Sequence, residues 1–311
     1  MSKVTVVGAG NVGATVANVL AHKDLVNEVV LLDIQGDLAR GKALDTWQQA
    51  PIDYYSTRVL GTEDYKDTAN SDVVVITAGI PRKPGMSRDD LISTNAKIVT
   101  SVTKSIMEHS KSPIIIVVSN PLDVMTYAAY EASGLDSSKV FGMAGILDTG
   151  RYRAFLAEAL NVSPKDIQAV LMGGHGDTMV PLPRYTTVAG MPVTDMIDED
   201  SLNAIVERTK KGGGELVKLM GTSAWYAPGA AAAQMVEVIL RNENRIFPCC
   251  VRLSGQYGID DLFLGVPVKL GRNGIEEIIE LNLNDDEMEL LNASAGAVRS
   301  VKEVFDGMGL L

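Results

Sequence analysis

Two apolar runs without polar alternation, Val-Val-Val-Ile-Thr-Ala at 73–78 and Ile-Ile-Ile-Val-Val-Ser at 114–119, constrain this chain more than any other feature. A strand with one wet face alternates apolar and polar side chains. Strands covered on both faces need not, and such strands belong to parallel sheets flanked by helices. The first half of the chain supplies those helices. Strand-like stretches at 3–7, 29–33, 73–78 and 114–119 alternate with helical patterns at 12–22, 36–50, 88–110 and 125–134, the βαβ rhythm of a doubly wound sheet. After about residue 145 the rhythm changes. Helical patterns at 149–160, 201–219, 228–241 and 285–308 surround a strand at 167–172 and hairpin-like segments at 186–193 and 245–270. The expectation is an α/β chain in two parts, a parallel-sheet domain over 1–145 and a mixed α+β domain over 146–311, with no Gly-, Pro- or Ser-rich linker between them.

Gly8-Ala9-Gly10-Asn11-Val12-Gly13 follows the first strand-like run and leads into a helical pattern, and Asp33 ends the next strand twenty positions after Gly13. A G-x-G-x-x-G alone says little. Between a strand and a helix, with an acidic residue at that spacing, it matches the phosphate-binding turn of a Rossmann domain. The glycines allow a tight turn and close backbone approach, so that free N–H groups of a helix N-terminus face a pyrophosphate. Asp33 is placed to accept hydrogen bonds from adenosine ribose hydroxyls and to repel a 2′-phosphate, so NAD rather than NADP is the expected cofactor.

With 28 basic against 39 acidic residues the formal charge is −11, and no basic run is longer than Lys210-Lys211. Nucleic acid and anionic membrane surfaces are therefore not expected partners. An anionic metabolite must instead be held by a few cations inside a pocket. Gly-Ile-Pro-Arg-Lys-Pro-Gly-Met-Ser-Arg-Asp-Asp at 79–90 follows a strand's carboxyl end, where ligands bind in open α/β sheets. Ser87 and Asp90 resemble a capping box that stops this loop and starts a helix. A loop with fixed ends and cationic contents could close as a lid; a solvated loop with no specific role fits the spacing equally. Cys249 and Cys250 are adjacent in an apolar stretch and suggest neither a disulfide framework nor a metal site. No stretch reaches the roughly 20 apolar residues of a membrane span, and the first strand-like run leaves no room for a signal peptide, so a reducing cytosol is the expected compartment.

His22 and His109 fall near helix ends, where solvation or the helix dipole accounts for them. His175 sits in Met-Gly-Gly-His-Gly-Asp at 172–177, with glycines on both sides. Imidazole suits proton exchange near neutral pH, yet a lone histidine after an apolar run is as readily structural. Asp148 and Arg151 share one helical face, and Asp148 could equally be an N-cap with Arg151 as its local partner. Asn120 follows a buried strand and precedes Pro121; its amide could bridge cofactor and substrate or simply close an Asx-turn.

Together these segments resemble the lactate/malate dehydrogenase family, and within it the lactate-dehydrogenase-like malate dehydrogenases, over essentially the whole chain. The resemblance rests on 8–13, on Thr-Ala-Gly-Ile-Pro-Arg-Lys-Pro-Gly-Met-Ser-Arg at 77–88 and on Val-Ser-Asn-Pro-Leu-Asp at 118–123. It continues through Leu-Asp-Thr-Gly-Arg at 147–151 and Gly-Gly-His-Gly-Asp-Thr at 173–178. It implies an enzyme with His175 as general acid/base, Asp148 orienting its ring and Arg151 gripping a C1 carboxylate bidentately. Asn120 would contact the substrate oxygen. Val118, Ser119 and Asn120 would line the cofactor wall, with Asn95 nearby on the following helix. Arg88 would polarise the reacting carbonyl as the loop closes.

Arg82 occupies the position where the family's lactate enzymes generally carry glutamine and its malate enzymes arginine, so the implied substrates are malate and oxaloacetate. Pyruvate would leave this guanidinium unpaired, a penalty of about 10⁴-fold by analogy with other unanswered buried polar groups. A lactate or broader 2-hydroxyacid dehydrogenase is the alternative. A homodimer or homotetramer is implied, without the N-terminal arm of vertebrate lactate dehydrogenases. In Gly221–Tyr226, small side chains stand where lactate enzymes have threonine, and either Ser223 or Ala224 would touch substrate.

Overall fold

The computed structural model describes residues 2–81 and 87–309. In the first half, strands β1 (Lys3–Val7), β2 (Glu28–Leu32), β3 (Arg58–Thr62), β4 (Val73–Ile76), β5 (Ile114–Val117) and β6 (Val140–Gly142) alternate with helices α1 (Asn11–His22), α2 (Gly36–Asp53), α3 (Arg88–His109) and α4 (Leu122–Ser133). The strands pair in parallel in the order β3-β2-β1-β4-β5-β6, the doubly wound arrangement in which strand order reverses between β1 and β4. Every residue of β4 is at 0% exposure, which explains why that run carries no polar alternation. Burial of both faces stabilises it at about 25 cal/mol per Å² of apolar surface removed from water.

The second half adds α5 (Gly145–Leu160), α6 (Glu199–Met220), α7 (Tyr226–Arg241) and α8 (Asp285–Asp306). Its small strands β7 (Ile167–Gln168), β8 (Leu171–Met172), β9 (Val180–Pro181), β10 (Thr187–Val188) and β11 (Met191–Pro192) form one three-stranded and one two-stranded sheet. The long strands β12 (Arg245–Ser254), β13 (Asp260–Gly271) and β14 (Gly274–Ile278) continue the main sheet antiparallel to β6. Among the described residues the main sheet thus has nine strands and runs through both halves.

Three differences from the sequence expectation have physical causes. The single strand expected at 167–172 is two strands, because β7 pairs with β10 while β8 pairs with β9. β3 escaped notice because Gly61, on which a methyl would lie 2.2 Å from Ala39 O of α2, interrupts its β-branched pattern. β6 has only three residues, too few to show a period.

Candidate active site

The turn after β1 uses its glycines differently. Gly8 has φ +105°, and its N–H donates to Leu32 O at 2.7 Å. A methyl on Gly13 would lie 1.8 Å from Gly8 O, whereas one on Gly10 would meet nothing within 4 Å. Gly8 and Gly13 are required by the turn itself; Gly10 keeps open the surface toward which α1 points its N–H groups. It N-caps α1 with no side-chain cap, leaving the first-turn donors of Asn11 and Val12 for a ligand. At the end of β2 the Asp33 carboxylate accepts the N–H of Ala9 at 2.6 Å and of Gln35 at 2.8 Å. Those bonds pin it beside the turn while lone pairs remain for two ribose hydroxyls. Lys42, which no motif marked, donates to Ala9 O at 2.8 Å from beneath. These residues fit a dinucleotide.

The loops after β4 and β5 form the next wall. Asn95 on α3 is 2% exposed; its Oδ1 accepts Ile80 N–H at 2.8 Å, and its Nδ2 donates to Ile80 O at 3.1 Å and Asn120 O at 2.7 Å. Both amide protons are spent, so Asn95, expected beside the cofactor, is the tie that holds the two loops together. Ser119 is similarly engaged, donating to Ala78 O at 2.6 Å. The Ser87–Asp90 capping box is formed, with Asp90 N–H donating to Ser87 Oγ at 3.0 Å and Ser87 N–H to Asp90 Oδ2 at 3.2 Å. Arg82 lies outside the described residues, as does the side chain of Arg88, whose backbone opens α3.

The His175 loop is fastened from three directions. Gly173 exchanges backbone hydrogen bonds of 2.8 and 3.1 Å with Gly265 of β13, where a methyl on Gly265 would lie 2.4 Å from Gly173 O. Gly174 N–H donates to Ser294 Oγ of α8 at 2.8 Å, and His175 N–H to Asp123 Oδ2 of α4 at 3.2 Å. Gly265 thus makes the close approach to β13 possible, and Gly173, at φ +84°, leaves no room for a side chain, since a methyl there would lie 2.6 Å from Ser294 Oγ.

On the ring, Nδ1 lies 2.8 Å from Asp148 Oδ2, and Asp148 Oδ1 accepts from Arg151 Nη1 at 3.1 Å. α5 begins at Gly145 with Ala144 as its N-cap, so Asp148 sits within the first turn and the N-cap alternative falls away. One buried carboxylate spans the imidazole and the guanidinium, its side chain only 3% exposed. An ionised Asp148 makes Nδ1 the donor, and Nε2 has no hydrogen-bond partner among the described residues. Burial by itself lowers the His175 pKa; the charge and hydrogen bond of Asp148, joined by Asp123, outweigh burial and hold it above the usual histidine range.

His175, Arg151, Asn120, Val12, Ser223 and Ala224 all line one cavity of about 350 Å³, with Val118 in the same wall. Two further contributors were not singled out by the sequence pattern. Asp123, 8% exposed, holds the His175 backbone, and burial pushes its carboxyl up despite the Cys250 thiol and His175 beside it. Its signal was its place in the Asn-Pro-Leu-Asp segment. Gly213 and Gly214 of α6 line the cavity, and a methyl on Gly212 would lie 3.3 Å from Arg151 Cδ. Three consecutive glycines inside a helix, each costing about 1 kcal/mol against alanine, were the visible sign.

Residues 2–142 match the family described as lactate/malate dehydrogenase, NAD binding domain, and residues 146–306 match lactate/malate dehydrogenase, alpha/beta C-terminal domain. The malate dehydrogenase of Cytophaga hutchinsonii is 66% identical over 307 residues, covering 98% of each chain. A solved malate dehydrogenase from Salinibacter ruber superimposes with a TM-score of 0.95 at 57% identity, covering 98% of each chain. A lactate dehydrogenase from Cryptosporidium parvum, solved with lactic acid and nicotinamide adenine dinucleotide, gives a TM-score of 0.94 at 37% identity and the same coverage. Backbone shape alone therefore does not separate the two substrates.

Proposed function

The chain belongs to the lactate/malate dehydrogenase family, and from that premise we infer that it interconverts (S)-malate and oxaloacetate with NAD as cofactor. The observation that carries this reading is the Arg151–Asp148–His175 relay on one cavity wall, next to the glycine turn. The malate reading, as against lactate, is supported by relatives named malate dehydrogenase at 66% and 61% identity.

Bound NAD supplies the two-electron acceptor for the hydrogen on C2. The first-turn N–H groups of α1 hold its pyrophosphate, and Asp33 holds the adenosine ribose. His175 takes the hydroxyl proton on Nε2 as the C2 hydrogen leaves, while Asp148 fixes the tautomer and stabilises the imidazolium. In reverse, protonated His175 donates to the carbonyl oxygen of oxaloacetate. Arg151 grips the carboxylate next to C2, and the Asn120 amide steadies the reacting oxygen. Arg88 polarises the carbonyl and Arg82 answers the second carboxylate.

The discriminating measurement follows NADH oxidation with oxaloacetate and with pyruvate. Oxaloacetate is expected to be preferred by about 10⁴-fold in kcat/KM, and Arg82→Gln to narrow that ratio. Comparable efficiency with both substrates would sink the malate reading, and an unchanged ratio in the variant would move recognition to another residue.

The enzyme acts in the cytosol as a homodimer or homotetramer. Supporting self-association, Leu44 and Trp47 on α2 and Val217 and Leu219 on α6 are exposed. A largely apolar groove between α1, α5, α6 and α7 lies beside the active cavity.

A further inference from the structure

The end of the sheet opposite His175 carries a second cavity, of about 560 Å³, with a different chemistry. It lies at the amino ends of β4 and β5, where Val73 and Ile114 form its floor. Three cations converge on it from separate elements: Lys111 from the turn before β5, Lys139 from the turn before β6 and Arg272 from the β13–β14 turn. None of the three forms a salt bridge among the described residues. The rest of the wall is rich in hydroxyl and amide groups, among them Ser112, which accepts from Lys139 Nζ, and Asn273.

The nearby carboxylates are engaged elsewhere. Asp72, which lines the cavity, accepts Lys3 N–H at 2.8 Å; Asp136 accepts Ser138 N–H at 2.9 Å; Glu276 accepts Asn273 N–H at 3.0 Å. In a chain of net charge −11, three cations against the single carboxylate of Asp72 leave this cavity wall with an excess of positive charge, and an anion seated there offsets it.

We propose that this cavity binds a small phosphate-bearing anion, at a site separate from the nucleotide turn and the substrate cavity. The three donors stand on three separate elements, an arrangement that suits a tetrahedral phosphate better than a planar carboxylate. Two lysines act as point charges, and the arginine fork can take two oxygens. The bound anion joins the β5 and β6 turns of the first half to the β13–β14 turn of the second, so it stabilises the whole molecule by linkage.

The test is thermal unfolding of the full chain with saturating NADH, so that the nucleotide turn is already filled, at constant ionic strength. Inorganic pyrophosphate and adenosine diphosphate are titrated separately. Pyrophosphate is expected to raise the melting midpoint by a few degrees in the native chain and by nothing in Lys111→Gln/Lys139→Gln/Arg272→Gln, which keeps its rate with oxaloacetate. Adenosine diphosphate acting equally marks the phosphates as the recognised group. A midpoint unmoved by both ligands, or raised equally in native and triple-variant protein, overturns the proposal. Single Arg272→Gln gives a second check, since it should weaken the apparent affinity for pyrophosphate several-fold without abolishing it.

Discussion

At the scale of single residues the decisive contact is the 2.8 Å bond between His175 Nδ1 and Asp148. Because Asp148 holds the His175 pKa above its ordinary value, the protonated ring persists to higher pH than a free histidine. Oxaloacetate reduction consumes that proton, so its kcat/KM is flat below the raised pKa and falls as pH rises through it. Malate oxidation needs the neutral ring and gains activity over the same interval. Asp148→Asn removes the charge and leaves burial opposed only by Asp123. The falling limb for oxaloacetate should move to lower pH, and kcat should drop by about 10²–10⁴-fold. Matched pH–rate profiles of both proteins decide it; superimposable limbs would mean that Asp148 does not set the pKa. Motif spacing could nominate His175, Asp148 and Arg151, but it could not show that a carboxylate 27 positions earlier reaches the ring.

At the scale of elements, the strand–turn–helix at 3–22 was readable from sequence because it is local: the period changes within a few residues and the glycines mark the change. What was not readable is that its glycines have unequal roles. Gly13→Ala forces a methyl to 1.8 Å from Gly8 O and should destabilise the protein measurably. Gly10→Ala meets nothing within 4 Å, so it should leave the melting temperature nearly unchanged and weaken NADH binding by about 10-fold or more by standing where the pyrophosphate approaches. Melting curves and a fluorescence titration with NADH separate the two, and equal losses of stability would refute the division. The loops behave differently. Asn95 lies inside α3, and its partners, Ile80 and Asn120, lie 15 and 25 residues away. Sequence patterns carry no information about such spans.

For the molecule as a whole, the main sheet runs past residue 145, from β6 to β12. Within the second half, a clamp joins Arg184, in the turn after β9, to the amino end of α8. Its Nε and Nη2 donate to the two Glu287 oxygens at 2.9 and 2.6 Å. The hydrogen bond from Arg184 holds the Glu287 carboxyl below its usual range. The clamp therefore contributes fully above the unfolded carboxylate pKa and is lost as pH falls through the lowered one. Glu287→Gln should cost about 1–3 kcal/mol at neutral pH, roughly 2–4 °C in melting temperature per kcal/mol, with the deficit closing in acid. Melts recorded against pH test this, and a deficit independent of pH would assign the loss to capping rather than charge. The sequence by itself determined the parallel sheet, the nucleotide turn and the identity of the chemical groups, because each follows from periodicity or residue type within a short window. Tertiary structure alone decided that His175 is oriented by Asp148 and held by Asp123, that Asn95 is a tie, and that one sheet unites both halves. Those facts depend on contacts between residues far apart in the chain, which form only when buried apolar surface brings them together.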